Sequence, residues 1–169
     1  MAEVIAVIGA VASVASIAAE GIKLSHTLSS YVETVRHADK SIAWTADDVR
    51  NTSIVLEQFA ANLKVEEETM VCKPEFYRSV SKNINDCDLI FKEIDSALAL
   101  SAVMVQYNEG EAKVYSMKGR DRFQWPFKQQ RVALLGSKLD RLKTTLNLMM
   151  TVMMHARDFH NKETNDRYY

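Results

Sequence analysis

An all-α protein, a single bundle of four to five long helices, is the fold class this sequence predicts, and three observations predict it. Apolar residues step by three and four along most of the 169 residues, the spacing of helices that each bury one stripe. Five glycines and two prolines are few for this length, while the strong helix formers Ala, Leu, Lys and Glu are plentiful. A chain that is 47% hydrophobic and 25% charged can fill one ordinary core but not two. One domain over residues 1–160 is therefore expected, followed by a flexible end at 161–169.

The first element is a hydrophobic helix over 2–20. After Glu3, the sixteen residues from Val4 to Ala19 carry no ionisable side chain. Three readings compete. A secretory signal needs a basic start, yet the first basic residue is Lys23. A membrane span needs about 20 strongly apolar residues, whereas this run covers about 24 Å at 1.5 Å per residue and is rich in Ala and Ser. The third reading is a helix packed within a bundle. Small residues recur every four positions, with Ala2, Ala6 and Ala10 on one line, Gly9 and Ser13 on another, Ala12 and Ser16 on a third. Such rows allow close helix approach in proteins and membranes alike.

Around Gly21 the pattern changes, and Leu24, Leu28, Tyr31 and Val35 outline a second helix ending near His37. From Ile42 the positions Thr45, Val49, Thr52, Leu56, Phe59 and Leu63 alternate steps of three and four, a bundle seam running to Glu66–Glu68. Pro74 suits a first helical turn and opens a helix striped by Phe76, Val80, Ile84, Cys87, Ile90, Ile94, Leu98 and Val105. A connecting loop near 107–124, with Gly110 and Gly119, contains no sustained period beyond a short extended piece. Pro126 restarts the chain as a helix, where Val132, Leu135, Leu139, Leu142, Leu146, Met149 and Met153 form the strictest stripe in the sequence.

Composition narrows the function. A formal net charge of −1 offers no basic field for nucleic acid. Cys72 and Cys87 are the only cysteines and share no metal or redox spacing, which suits a reducing compartment. Cys87 lies on an apolar stripe and is expected to be a structural thiol. Phosphate loops, dinucleotide fingerprints and hydrolase or metalloprotease motifs are missing from the sequence. His155 and His160 are five apart, off the i, i+4 spacing of a helical metal pair. The acidic neighbours Asp47 and Asp48, and likewise Glu93 and Asp95, are expected on solvated faces. No catalytic residue, metal or cofactor is expected, and the chain is not expected to be an enzyme. One segment stands apart: Lys118, Arg120, Arg122 and Lys128 surround Phe123, Trp125 and Phe127. Basic side chains among aromatic rings suit either lipid headgroups or a loop that plugs the end of a bundle.

Three blocks, in order, give the chain a family resemblance: "MAEVIAVIGAVASVASIAAEGIKLSHTLSSYVETVRHADKSI", "DDVRNTSIVLEQF" and "RFQWPFKQQRVALLGSKLDRLKTTLNLMM". Together they resemble the fungal N-terminal domain of STAND (NOD-like receptor) proteins, in the HeLo-like group, over about residues 1–157. The most specific piece is Trp125, Pro126 and Phe127 followed by the Leu139–Leu148 helix. The resemblance implies a helical bundle related more remotely to the executioner bundle of the mixed-lineage kinase-like necroptosis protein, and a role in fungal immunity or heterokaryon incompatibility. It implies self-association on activation, anionic membrane lipids and an NLR-type or other signalling protein as partners, and movement from cytoplasm to plasma membrane. Carried onto this chain, it makes Glu3, Val4, Ile5, Val7, Ile8, Gly9, Val11, Ser13, Val14 and Ile17 the membrane-insertion helix. The sequence contains no nucleotide-binding module and no amyloid-forming tail, so sensing would need further sequence or a partner. The alternative is a soluble, non-toxic adaptor acting through helix–helix contacts.

Overall fold

The computed structural model describes residues 2–34, 40–99, 103–105, 114–116 and 125–166, with side chains described from Val11 onward in the first helix and from Gln130 onward in the last. Four helices make the bundle: α1 over Ala2–Thr34, α2 over Lys40–Thr69, α3 over Pro74–Ala99 and α4 over Trp125–Asp166. Between α3 and α4, strands β1 (Val103–Val105) and β2 (Val114–Ser116) pair antiparallel, with Val103 opposite Ser116, Met104 opposite Tyr115 and Val105 opposite Val114. The fold is an all-α bundle with this small hairpin set against α1 through β2.

The core follows the predicted seams. Leu56, Phe59 and Leu63 from α2, Cys87 and Ile94 from α3, and Leu139, Leu146 and Met153 from α4 are completely buried. Each such aliphatic or aromatic side chain contributes about 2 kcal/mol of transfer free energy. Buried hydroxyls on the same seams are satisfied within their own helix. Thr45 Oγ1 donates to Ser41 O at 2.8 Å, Thr52 Oγ1 to Asp48 O at 2.7 Å and Ser53 Oγ to Val49 O at 2.7 Å. Returning the proton to the i−4 carbonyl lets a polar residue occupy a core position without an orphan donor.

The first two expected helices are one. Residues 2–20 do not form a separate element, because α1 continues through Gly21 to Thr34. A glycine inside a helix costs about 1 kcal/mol relative to Ala, and packing opposes that cost here. Gly21 is buried, and a Cβ at this position would collide with Ser53 Oγ and come within 2.5 Å of the Phe91 ring. Its missing side chain is what admits α2 and α3 to the α1 backbone. The α3 stripe also ends earlier than expected. The helix stops at Ala99, and Val105 belongs to β1, where β-branched Val103 and Val105 suit a strand. At the other terminus α4 remains helical through Asp166, although every side chain from Asp158 to Asp166 is exposed.

Neighbour relations place α1 against α2 and α3, and α4 against the same two helices. Thus α1 and α4 occupy one diagonal of the bundle. Between α3 and α4 the chains run in opposite directions, since Arg131 reaches Glu93 while Arg141 and Leu142 lie beside Asp86 and Ile90. Between α2 and α4 they run in the same direction. A Cβ on Gly136 would stand 3.3 Å from Asp48 Oδ2 and 3.8 Å from Thr45 Oγ1, and further along Arg157 meets Asn62 and Glu66. Asp48 therefore faces α4 rather than open solvent. Burial raises its carboxyl above the ordinary value, with Lys143 pulling the other way.

Candidate functional site

Of the residues assigned to the insertion helix, Glu3, Val4, Ile5, Val7, Ile8 and Gly9 have side chains outside the described residues, although their backbone belongs to α1. The remaining four divide by face. Val14 and Ile17 are buried in the core, Val11 is half-buried against it, and Ser13 is exposed. The inner face of α1 continues through Ala18, Gly21, Leu24 and Ser25 to Leu28 and Tyr31. The outward face between residues 12 and 19 consists of Ala12, Ser13, Ala15, Ser16 and Ala19. The second and third small-residue rows thus reach solvent through Ser13, Ala12 and Ser16, while the small residues that pack the core are Ala18, Gly21 and Ser25.

The basic aromatic segment is only partly placed. Lys118, Arg120, Arg122 and Phe123 lie outside the described residues, whereas Trp125, Phe127 and Lys128 fall in the opening turns of α4, before its side chains are described.

The densest polar chemistry lies elsewhere, where α2 turns into α3. Glu66 is fully buried. Its Oε1 accepts the Cys72 backbone N–H at 2.7 Å and the Tyr77 hydroxyl at 2.8 Å, and its Oε2 accepts a longer bond from Thr69 Oγ1 at 3.4 Å. Arg157 of α4 supplies the countercharge, with Nε 3.9 Å from Glu66 Oε2. That separation is too long for a hydrogen bond. Its guanidinium donates instead from Nη2 to Asn62 Oδ1 at 2.9 Å and, over a longer distance, from Nε to Met153 O at 3.4 Å. Asn62 Nδ2 in turn donates to Gln58 O at 2.9 Å. Met70 adopts a left-handed conformation with φ of 46° and donates its N–H to Glu66 O at 2.8 Å, closing α2 with a left-handed cap.

These groups fasten the turn and present no activated nucleophile. Burial, reinforced by the Glu66 carboxylate, pushes the Cys72 thiol up to about 12, and the same two causes raise the Tyr77 phenol above its ordinary value. Both remain protonated donors at neutral pH. Cys87, fully buried as its stripe predicts, is pushed up to about 12 by burial and then by Asp86. Among the described residues no group of three or more His, Cys, Asp and Glu is arranged to hold a metal ion. Glu66 had a signal in the sequence: it continues the α2 seam one step of three beyond Leu63, and its charge hid a core position.

A third feature was not anticipated. On α4, Leu134, Leu148, Val152 and Phe159 are 58%, 64%, 46% and 67% exposed, and at 3.6 residues per turn they fall within about 40° of one another. They form a second apolar stripe, on the side of α4 away from its core seam.

No protein-family model, curated protein or solved structure matches this chain. No helix among the described residues is long and apolar enough to cross a membrane.

Proposed function

We propose that the chain is a self-associating effector or signalling domain of a fungal NLR-type immune or incompatibility system, whose α1 engages anionic membrane when copies cluster and so causes regulated cell death. The observation that carries this reading is the division of α1 into two faces. Val14, Ile17 and Ala18 hold the helix in the bundle, while Ala12, Ser13, Ala15, Ser16 and Ala19 face outward without a charge. A small, uncharged outward face lets copies of α1 approach closely, and a membrane that binds the released helix better than the bundle does would shift the population. The resemblance in the three sequence blocks supports the same reading. The domain is cytoplasmic at rest under this proposal and acts at the plasma membrane without catalytic chemistry, cofactor or nucleic acid.

The test is dye release from anionic liposomes by purified protein, alone and artificially clustered. Deleting residues 1–20 is a poor control because it removes Val14, Ile17 and Ala18 from the core. Ser13→Glu with Ser16→Glu is better, since both side chains are exposed and the fold should persist. Release by the clustered wild type that this pair abolishes supports the proposal. If the clustered wild type releases no dye, the adaptor reading takes its place.

A further inference from the structure

From Leu148 to Phe159 the outer stripe of α4 is exposed, and the charges at its two ends differ in sign. Toward the start of the helix the same strip holds Arg141, with Lys138 beside it, both bordering Asp86 and Glu93 of α3. Toward its end it holds Asp166, with Glu163 beside it. Among the described residues none of these four takes part in an ion pair. Between the two charged ends stand Leu148, Val152, His155 and Phe159, all exposed.

The length of α4 adds an independent observation. Its 42 residues extend about 63 Å at 1.5 Å per residue, against about 45 Å for the 30 residues of α2. Because Gly136 lies against Thr45 and Arg157 against Glu66, the last residue of α2, Thr69, is level with about His160. Beyond that point α4 projects with all of its side chains exposed. Most helical stability in proteins comes from tertiary packing of one face, which these last turns lack among the described residues, and Phe159 at their base is two-thirds exposed.

The geometry points to a second copy of this chain as the occupant of the stripe, with two α4 helices packed antiparallel around an axis between Val152 and His155. Steps of three and four connect Arg141, Thr145, Leu148, Val152, His155, Phe159, Lys162 and Asp166, the spacing of a two-helix seam. In the antiparallel register Val152 of one copy meets His155 of the other, Leu148 meets Phe159, Thr145 meets Lys162, and Arg141 meets Asp166 with Glu163 alongside. Each contact occurs twice. The projecting end of one α4 then rests on residues 141–148 of the other, which gives the unsupported turns a partner. A parallel pair would instead put Arg141 on Arg141 and Asp166 on Asp166, a like-charge arrangement that opposes docking. This dimer does not depend on the membrane reading, because α4 is diagonal to α1 and the outward face of α1 stays open.

Sedimentation equilibrium of the full chain across the micromolar range tests the association. A reversible dimer is expected, and Phe159→Glu or Leu148→Glu should weaken it at least about tenfold without changing the helical circular dichroism. Arg141→Glu should weaken it as well, and adding Glu163→Arg and Asp166→Arg to that variant should restore it. Orientation is tested by mild oxidation of Leu148→Cys and Phe159→Cys chains, separately and mixed, each in a Cys72→Ser background, Cys87 being fully buried. Cross-linking in the mixture alone supports the antiparallel register. A wild type that is monomeric throughout, dimers indifferent to Leu148→Glu and Phe159→Glu, or cross-linked homodimers of either cysteine variant by itself would overturn the proposal.

Discussion

The two helices on the α1–α4 diagonal have similar inner faces and opposite outer ones. Inward, each contributes a seam of buried apolar residues, Val14 to Tyr31 in α1 and Val132 to Met153 in α4. Outward, α1 shows Ala and Ser between residues 12 and 19, while α4 shows Leu, Val and Phe. Small side chains leave little apolar surface to water, so the α1 face costs little to expose and gains mainly from close backbone approach. Large ones leave far more, at about 25 cal/mol per Å², so the α4 face favours association in water. One bundle thus offers two surfaces suited to different surroundings.

Substitutions can break or sharpen this contrast. The largest effect should come where the inner side of α4 is fastened. Glu66→Ala leaves Arg157 without its countercharge and the Cys72 amide and Tyr77 hydroxyl without their acceptor, and should cost about 3–5 kcal/mol in urea denaturation. Next, Leu139→Ala on the inner seam, fully buried, should cost about 3 kcal/mol. Leu148→Ala on the outer stripe of the same helix should cost the monomer no more than about 0.5 kcal/mol. Equal losses at Leu139 and Leu148 would mean that the outer stripe is not outside. On α1, Gly21→Ala should lower stability by about 1–2 kcal/mol despite the better helix propensity of Ala, because the new Cβ meets Ser53 and Phe91. Ser16→Ala, one and a half turns away on the outer face, should stay within about 0.5 kcal/mol.

Stability should also depend on pH. Cys72 and Cys87 hold their protons to about 12 when folded, whereas an unfolded thiol releases its proton at about 8.5. Between those values the folded state binds more protons than the unfolded state, so stability declines as pH rises. Denaturant midpoints measured at pH 8 and pH 10 should fall, and Cys87→Ala should flatten the decline. An unchanged slope in that variant would show that Cys87 is not its source.

Much of the fold was legible because helix seams are written locally. The α2 positions from Ile42 to Leu63 and the α4 positions from Val132 to Met153 announce their buried faces by spacing alone. What escaped depends on partners distant in sequence. Gly21 resembled a break because propensity records its local cost, while its reason for being there lies in Ser53 and Phe91. The parallel packing of α2 and α4 is set by which seams meet, and periodicity within either helix is silent on that. Glu66 continued the seam but was disguised by its charge. The outer α4 stripe was present in the same sequence, overshadowed by a stronger stripe on the other side of the helix.

The continuity of α1 through Gly21 also has a signature in hydrogen exchange. Had residues 2–20 been a separate helix, their amides could open while those around Leu28 and Tyr31 stayed protected. In one helix anchored at Val14, Ala18, Gly21, Leu28 and Tyr31, the amides from about residue 14 to 31 belong to a single cooperative unit. Their exchange should converge on one opening free energy, and detaching the front of α1 would mean either melting that unit or snapping it at its glycine.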